Sequence, residues 1–423
     1  MIPPDRTLTL TAAHESTAAN TFRLVPDPPV FIRGDGPYLF TADGTAYLDL
    51  VCGSATTNLG HGHPAHNAAI SGALATGILH TGTRLPSPFR AALYDRLISI
   101  LPHGLTRIQL VNSGSEAVEA AIKAAQFATG RRRLVGFDGG YHGRTLGALS
   151  LTSGARIRAP FHLLTDSIDI LPYPDGTVTT EEALAAARAL LEHRAVQGDL
   201  PALMLVEAVQ AVSGLIGPDV GFLRGLSALC DHHDVPLALD EIWNGIGRTG
   251  RWFGFEAAGI SPDLVVMGKG LSAGLPLAAV AARDRFLARW PPGMHTSTFQ
   301  GNPLACAMAV ATIDTIRAEN LLGHATAIAA DLSILLTPLV GKHGVFALRV
   351  AGAQAAIEFR NAAGKPDSAR SADLQRRMLD QRMLVYGGGR QGECVMLVPP
   401  LNLPMDILGH AVSRLVTQIE QAV

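Results

Sequence analysis

The stretch Leu264-Val-Val-Met-Gly-Lys-Gly-Leu271 joins a run of four apolar residues to a lysine that stands between two glycines. Four similar runs come before it, alternating with Ala- and Leu-rich stretches of helical character: Ile108-Gln-Leu-Val111, Leu134-Val-Gly-Phe137, Leu203-Met-Leu-Val206 and Pro236-Leu-Ala-Leu239. Short apolar runs between helices are typical of strands buried on both faces, as in a doubly wound, mainly parallel sheet. The sequence therefore predicts an α/β fold, and it does not say whether antiparallel strands are mixed in.

The two ends of the chain differ from this central pattern. Residues 20–50 alternate short strand-like runs with Gly and Asp turns, which predicts a small β-meander. Beyond about residue 310, a long Ala- and Leu-rich helix leads to further strands and helices. We therefore expect a large central domain over residues 65–310, and a smaller α+β domain built from residues 1–64 and 311–423.

The composition excludes several classes of partner. The 423 residues are 48% hydrophobic and 17% charged, which allows a large buried core, and the formal charge of -2 gives no electrostatic basis for nucleic acid or an anionic membrane. The longer apolar stretches are interrupted by Gly, Pro or charge, and the first residues lack a signal-peptide pattern. The four widely spaced cysteines suit reduced thiols. We expect a cytoplasmic protein.

Two charged residues follow neighbouring predicted strands. Lys269 is one of only four lysines, and desolvation on its tight turn would lower its pKa and make it a nucleophile for an aldehyde. Asp240 closes another strand, where a buried carboxylate needs a cationic partner such as a protonated pyridine nitrogen. The alternatives are a surface-turn lysine, and an aspartate that either pairs with an arginine or caps a turn.

Two further motifs follow predicted strands. Ser113-Gly-Ser-Glu116 resembles a capping box, followed by a helix that ends near Gly130 and carries Glu119 and Lys123 at pairing distance. Such a helix start presents free N–H groups to a phosphate, although an ordinary capped helix has the same pattern. In Tyr141-His-Gly-Arg144 the aromatic ring suits stacking on a flat cofactor and the arginine suits a carboxylate, with a plain surface loop as the alternative.

Together these motifs supply an amine, a partner for a ring nitrogen, a phosphate site and a stacking aromatic ring. All are predicted at one edge of the sheet, where α/β folds bind ligands, and together they meet the needs of pyridoxal phosphate. Two other motifs are set aside. Gly245-Ile-Gly-Arg-Thr-Gly250 fits a dinucleotide pattern but no helix follows it, and His61-Gly-His63 lacks further metal ligands at a supporting spacing. We expect no metal site.

With these residues in place, the chain resembles the class III (ω-) aminotransferases of pyridoxal-phosphate fold type I. The resemblance runs from Leu48-Asp49 to Pro399-Pro400-Leu401 and is nearest to the 4-aminobutyrate type. The matching stretches include Asn58-Leu-Gly-His-Gly-His-Pro64, Asn112-Ser-Gly-Ser-Glu-Ala117, Tyr141-His-Gly-Arg-Thr145, Asp240-Glu-Ile, Gly247-Arg-Thr-Gly250, Gly268-Lys-Gly and Thr298-Phe-Gln-Gly-Asn-Pro303. It implies a mostly parallel seven-stranded sheet in the large domain.

The resemblance also implies a role for each matching residue. Lys269 would carry the cofactor as a Schiff base and shuttle the proton, and Asp240 would pair with the pyridine nitrogen. The other cofactor contacts would be a ring sandwich, a phosphate site and a supporting carboxylate, formed by Tyr141, Ile242, Gly114, Ser115 and Glu207. Thr298 would reach the phosphate of a neighbouring subunit, which implies a homodimer with shared active sites.

The substrate pocket departs from the family pattern. Arg144 matches the arginine that binds the distal carboxylate of an ω-amino acid, and Ser54 is a further predicted substrate contact. By spacing, Val212 and Met396 occupy the positions of a Glu–Arg pair that switches to admit an amine or an α-carboxylate. Both partners are absent together, which avoids a stranded buried charge. The pocket beside the reacting carbon should therefore be apolar.

Two interactions that the resemblance implies must then involve other residues: the hydrogen bond to the ring hydroxyl of the cofactor and the binding of the oxo-acid carboxylate. Trp243 replaces a glutamine, so Gln210 is a candidate for the hydrogen bond to the ring hydroxyl. The carboxylate of the oxo acid would be held by Arg144, or by Arg390 in a glycine-rich loop.

The resemblance implies a ping-pong transaminase, and the apolar pocket leads us to expect that it moves the amino group of an aliphatic amine, amino alcohol or ω-amino acid to pyruvate or 2-oxoglutarate. A 4-aminobutyrate transaminase proper and an amino acid decarboxylase or epimerase of the same family are alternatives. A scaffold protein without catalysis is a further alternative, against which Lys269 and Asp240 argue.

Overall fold

The computed structural model describes residues 3–14, 28–163 and 165–421. The helices in this part of the chain are α1 Pro4–His14, α2 Cys52–Ala55, α3 Pro64–Ala75, α4 Pro88–Ile98, α5 Gly114–Thr129, α6 Leu146–Leu151, α7 Ala155–Arg158, α8 Thr180–Val196, α9 Val220–His233, α10 Asp284–Leu287, α11 Pro303–Ala318, α12 Leu321–Leu336, α13 Ser368–Asp380 and α14 Met405–Glu420. Short 3₁₀ turns lie at Thr165–Ser167, Gly254–Ala258, Lys269–Leu271 and Thr337–Leu339.

The strands of the described residues form three sheets. They are β1 Phe31–Asp35, β2 Tyr38–Thr41, β3 Ala46–Asp49, β4 Arg107–Val111, β5 Leu134–Phe137, β6 Ile168–Leu171, β7 Leu203–Glu207, β8 Leu237–Asp240, β9 Leu264–Met267, β10 Ala278–Ala282, β11 Val345–Val350, β12 Ala355–Phe359, β13 Met383–Leu384, β14 Tyr386–Gly388 and β15 Cys394–Leu397. The central sheet has seven strands, and two smaller sheets have four each.

The central sheet has the order β4-β10-β9-β8-β7-β5-β6, and β10 alone runs antiparallel to its neighbours. All five apolar runs predicted as strands are confirmed. The strands β5, β7, β8, β9 and β10 are buried along their whole length, as expected for a sheet covered on both faces. The prediction of an α/β fold with a mostly parallel seven-stranded sheet is therefore confirmed.

The N-terminal meander forms as predicted, and β13 from the C-terminal part of the chain extends it. β1, β2 and β3 pair in antiparallel order, and Met383 and Leu384 of β13 add a parallel pairing to β3. Residues 20–27 of the predicted meander lie outside the described residues. Segments from both chain ends thus share one sheet. The domain limits at residues 64 and 310 stay a prediction.

One helical segment is longer and more apolar than the sequence patterns suggested. Residues Leu321–Leu339 reach 19 residues with a mean hydropathy of 1.4, enough by length and composition to cross a membrane. Leu321, Ala325, Ile328, Leu332 and Leu336 face the hydrophobic core at helical spacing. One such helix is weak evidence for a membrane span, since a core-facing helix has the same composition.

The helix α5 begins and ends as its sequence predicts. Ser113 accepts a hydrogen bond from the Glu116 backbone N–H, and Gly130 closes the helix with φ 67°. The carboxylate of Glu116 accepts from the N–H of Asn112, one residue before the expected partner. The Glu119–Lys123 pairing was wrong: Glu119 accepts from Thr145 and from the Ala148 backbone, while Lys123 donates to the Met294 carbonyl.

Arg248 connects the large sheet region to both chain ends. It is fully buried within Gly245-Ile-Gly-Arg-Thr-Gly250, a turn whose next helical element is the 3₁₀ turn Gly254–Ala258 and not the α-helix of a dinucleotide site, as expected. Its guanidinium donates to the side chain of Asn58 at 2.6 Å and to the carbonyls of Ala353 and Pro399. No carboxylate among the described residues forms a salt bridge with it, so these three oxygens stabilise the buried charge.

We expect Arg248→Met to lower the free energy of unfolding by about 3 kcal/mol, because three buried acceptors lose their donor. Urea denaturation measures the change. Arg251→Met, at an exposed position in the same turn, is the control and should leave the midpoint unchanged. A loss well below 1 kcal/mol in Arg248→Met would show that water satisfies these oxygens.

Candidate active site

The polar residues that follow the central strands meet around one cavity of about 180 Å³ at the carboxyl edge of the sheet. This is the edge at which α/β sheets bind ligands. The lining residues are Ser113, Gly114, Ser115, Tyr141, His142, Gly143, Glu207, Val212, Asp240, Ile242, Trp243 and Lys269. A second cavity, of about 440 Å³, lies between the N-terminal meander and α14 and contains none of these residues.

Lys269 is the amine of this cavity. It follows β9 by two residues and starts a 3₁₀ turn with φ 40°, so its side chain points from a tight turn into a largely buried space. Burial lowers the pKa of the Lys269 ammonium to about 8, although the nearby charges of Asp240 and Glu207 oppose that shift. The surface-turn alternative is therefore excluded, and the predicted desolvation is present.

Asp240 has a hydrogen-bonding partner, His142, that sequence reasoning missed. The imidazole Nδ1 of His142 donates to Asp240 Oδ2 at 2.7 Å, while the backbone N–H of Ile242 donates to Oδ1 at 3.0 Å. Both side chains are buried. Burial alone would lower the pKa of His142, but the hydrogen bond and the charge of Asp240 outweigh it and raise that pKa. Asp240 therefore faces the cavity with histidine rather than arginine behind it.

Glu207 holds the loop that carries Tyr141. One carboxylate oxygen accepts from the Tyr141 backbone N–H at 2.9 Å, and the other accepts from the Ala211 N–H at 3.2 Å. Burial raises the pKa of Glu207 to about 7, an effect that the neighbouring His142 opposes. The carboxylate thus supports the site from the end of β7, in agreement with the supporting role the resemblance implies.

The start of α5 forms a small polar cup in the cavity wall. The backbone N–H groups of Gly114 and Ser115 have no acceptor among the described residues, because the first turn of a helix leaves them free. Two glycines keep this cup open. A Cβ at Gly114 would press on Ile242, and a Cβ at Gly143, where φ is 123°, would collide with the hydroxyl of Ser115.

Part of the cavity wall is apolar. Val212 and Trp243 line it, and Met396 lies fully buried in the hydrophobic cluster that contains Trp243. Met396 is therefore behind the wall rather than at its surface. Ser54 has φ 67° and lies beside the hydroxyl of Tyr386, whose ring contacts Trp243 edge-to-face at 5.4 Å.

The arginines near the cavity differ in what they bind. Arg390 is paired with two carboxylates, Asp138 at 2.8 Å and Asp175 at 3.2 Å. Arg144 is exposed, its Nε lies 3.3 Å from the Tyr141 hydroxyl, and it forms no salt bridge with another described residue. Of the two predicted carboxylate ligands, Arg144 is thus the one whose charge is available.

Four other residues considered from the sequence, two of them predicted for the site and two set aside as metal ligands, lie outside the cavity wall. Thr298 is exposed, and its carbonyl accepts from His80. Gln210 donates from Nε2 to the Asp138 carbonyl, and its Oε1 is buried without a partner among the described residues. His63 caps α3, while His61 pairs with Asp49 at 2.9 Å, so both have structural contacts.

Comparison with known proteins decides the family. The model of the aminotransferase class-III family matches residues 25–422. The chain belongs to the class III aminotransferases. It is 38% identical to the acetylornithine aminotransferase of Methanopyrus kandleri over 70% of this chain and 72% of that one. It is also 34% identical to the 2-aminoadipate transaminase of Pseudomonas putida, with 90% of this chain and 93% of the relative covered.

Solved structures agree with this assignment. An (S)-enantioselective ω-transaminase from Thermomicrobium roseum superposes with a TM-score of 0.89 at 26% identity, over 100% of the aminotransferase and 99% of that chain. Class III aminotransferases depend on pyridoxal phosphate. The aminotransferase is therefore a pyridoxal-phosphate enzyme, as its sequence predicts.

The cavity of the aminotransferase fits this cofactor. It combines a desolvated amine for the aldehyde, a buried carboxylate for the ring nitrogen, and free N–H groups at a helix start for the phosphate. Tyr141 and Ile242 line the same space. The chain thus brings together the cofactor residues predicted from the sequence except two: Thr298, whose role depends on a second subunit, and Gln210, which lies outside the cavity wall.

Sequence reasoning did not predict the contacts that His142 and Trp243 make in the site. His142 lies in a recognised motif, but its partner Asp240 is 98 positions away. The need of a buried aspartate for a cation was the available signal. The sequence predicted a protonated pyridine nitrogen as that cation, with an arginine pair or a turn cap as the alternative. Trp243 was noted only as a replacement for glutamine, whereas its ring lies 3.9 Å from Lys269 Nζ.

Proposed function

We propose that the enzyme transfers the amino group of a primary amine, whose amine-bearing carbon carries alkyl substituents, to an oxo acid. Aliphatic amines, amino alcohols and ω-amino acids are the donor class, and pyruvate or 2-oxoglutarate is the acceptor. The observation that carries this proposal is the apolar wall of Val212 and Trp243 next to Lys269. The two half-reactions would follow each other in ping-pong order.

Each residue around the cavity would have a separate role in cofactor binding or proton transfer. Lys269 would bond covalently to the cofactor and then move the proton at its Nζ. Asp240, with His142 behind it, would hold the ring nitrogen protonated, and Gly114 and Ser115 would bind the phosphate. The bound cofactor supplies an electron sink for the substrate carbon. Tyr141 and Ile242 would enclose its ring.

The apolar wall favours alkyl groups over an α-carboxylate for a simple reason. A carboxylate moved against Val212 and Trp243 would lose its hydration without gaining a cationic partner there, which is unfavourable. An alkyl group at the same place would gain free energy by leaving water. The relatives are named for acetylornithine and 2-aminoadipate, so the choice of amine rests on this chain's own pocket.

Arg144 would bind a substrate carboxylate, which finds no cationic partner at the apolar wall. It is exposed beside Tyr141 and has no carboxylate partner among the described residues. A guanidinium binds a carboxylate through two parallel hydrogen bonds, so it suits either an ω-amino acid or an oxo acid. Arg390 is a poorer candidate because Asp138 and Asp175 already neutralise it.

A substrate screen tests the proposal. The purified holoenzyme is mixed with single amines, and the spectrum of the cofactor is followed until it converts to the amine form. Pyruvate or 2-oxoglutarate should then restore the original spectrum. No conversion with any amine would overturn the proposal, and release of carbon dioxide without an oxo acid would indicate a decarboxylase.

We expect the double change Val212→Glu with Met396→Arg to raise kcat/KM for glutamate relative to an alkyl amine by about tenfold or more. The arginine of the new pair would provide a cation for the α-carboxylate. The pair would also reduce the apolar area of the wall that contacts an alkyl group. Each single change is a control: either one buries an unpaired charge and should destabilise the protein by about 3 kcal/mol. An unchanged ratio in a folded double variant would show that these positions do not form the gate.

We also propose a homodimer in which Thr298 contributes to the neighbouring active site. Thr298 is exposed, and the adjacent Phe299 is 67% exposed together with Leu79 and Leu85 at 61% each. Exposed apolar side chains of this size favour an interface between subunits. Analytical ultracentrifugation would contradict the proposal if the holoenzyme sedimented as a monomer. The cytoplasmic location stays a prediction.

A further inference from the structure

The amine of Lys269 has an aromatic contact that the proposed chemistry does not use. Its Nζ lies 3.9 Å from the centroid of the Trp243 ring. Within the described ranges, no hydrogen bond or salt bridge holds Nζ, although Asp240 and Glu207 act on it through space. An ammonium over an indole face is attracted by the ring quadrupole, and more strongly when water is excluded.

Trp243 itself is held in place by three neighbours. Its indole N–H donates to Gln354 Oε1 at 2.9 Å, and the Gln354 amide donates in turn to Asn244 Oδ1 at 3.2 Å. Tyr386 meets the ring edge-to-face at 5.4 Å. Trp243, Gln354 and Asn244 are all buried. The ring is therefore a fixed surface, whereas the lysine chain has several rotatable bonds.

We propose that Trp243 is a positioning residue, which holds the free amine of Lys269 on its indole face whenever that amine is not bonded to the cofactor. This inference rests on the role of Lys269 in the proposed function. A rigid ring limits the positions that the long side chain can occupy, so the amine stays inside the cavity until it bonds to the cofactor again. Glutamine at this position, as the family resemblance implies, has no such face.

A fluorescence titration of the cofactor-free protein tests the contact directly. The chain has three tryptophans and four lysines, so few other residues contribute to the signal. Between pH 6 and pH 10, loss of the Lys269 proton should change the emission of Trp243 with a midpoint near 8. Glu207, Asp240, His142 and Tyr141 also face this cavity, so variants must identify the group that titrates.

The change in emission should disappear in Lys269→Met and in Trp243→Phe. It should persist in Trp252→Phe, which removes an indole outside the cavity. A transition that survives in Lys269→Met would overturn the proposal, as would one that disappears only in Trp252→Phe. Circular dichroism of each variant checks that the fold is intact. This measurement needs no substrate and no cofactor.

Turnover provides the second measurement. Trp243→Phe keeps an aromatic face, and its kcat should exceed that of Trp243→Leu by about threefold or more. Trp243→Leu keeps the apolar volume without the face, and its kcat should fall about tenfold with little change in the KM of the amine. Equal kcat values for the two variants would contradict the proposal. If no amine reacts at all, the proposed function fails, and the fluorescence titration still decides the role of Trp243.

Discussion

Replacing Lys269 by alanine should abolish transamination, with a loss of about four orders of magnitude in kcat. The variant loses both the amine that bonds to the cofactor and the base that moves the substrate proton. Lys342→Ala, which removes a lysine outside the cavity, should leave kcat unchanged and serves as the control. Residual activity within a hundredfold of the parent enzyme would show that another group carries out the chemistry.

Covalent attachment gives a measurement that does not depend on the substrate. After reduction of the holoenzyme with borohydride, mass spectrometry should find the cofactor on the peptide that contains Lys269. The other three lysines, Lys123, Lys342 and Lys365, provide internal controls in the same digest. A label on any of these instead would contradict the assignment.

The lowered pKa of Lys269 also predicts how cofactor binding depends on pH. Only the neutral amine attacks an aldehyde, and with a pKa of about 8 roughly a tenth of it is neutral at pH 7. The rate of covalent cofactor attachment to the cofactor-free protein should therefore rise with pH and level off above about pH 9. An ordinary lysine would still show a rising rate at pH 10.

Replacing Asp240 by asparagine should lower kcat by about three orders of magnitude. An amide cannot provide the negative charge that keeps the ring nitrogen protonated, so the cofactor becomes a weaker electron sink. Asp138→Asn is the matched control, because Asp138 also follows a central strand but pairs with Arg390 at the rim. Its kcat should change by less than about threefold.

Asp240→Asn also tests whether Asp240 acts on the cofactor ring or only orients His142. Without the carboxylate, burial should dominate and the pKa of His142 should fall below its usual range. Nuclear magnetic resonance of the imidazole follows this change in the cofactor-free protein. A normal kcat together with a shifted His142 would mean that Asp240 only orients the histidine.

Without the Glu–Arg pair, the pocket has no charged group at Val212 or Met396 that could bind an α-carboxylate. Val212 is at the cavity surface, whereas Met396 is one layer behind it, in the cluster with Trp243. Two apolar side chains, Val212 at the cavity surface and Met396 behind it, therefore occupy the positions where the family resemblance implies a charged switch. The available charge lies instead at Arg144, on the loop after β5, so a carboxylate would be bound away from the reacting carbon.

The sequence alone determined the features that depend on neighbouring residues. The apolar runs of β4, β5, β7, β8 and β9 were recognisable because each is short and is followed within a few residues by polar side chains. The start of α5 at Ser113 and its end at Gly130 were also recognisable from local capping chemistry. Lys269 and Asp240 followed from the same reasoning, since both stand where a buried strand ends.

Two strands of the central sheet were not recognised from the sequence. β10 reads Ala-Ala-Val-Ala-Ala, a composition that favours helix, and it becomes a strand only because β4 and β9 pair with it on both sides. β6, Ile168–Leu171, is an edge strand with an aspartate in its middle. Its pairing with β5 decides its conformation.

Only the tertiary structure decided which side chains act as partners. His142 reaches Asp240 across 98 residues, Arg390 is neutralised by Asp138 from 252 positions away, and the Trp243 ring lies 3.9 Å from the amine of Lys269. Patterns along a chain report local conformation and burial, because these depend on adjacent residues. Pairings between distant side chains depend on how the strands are ordered in the sheet, and this order is set by the packing of the whole core.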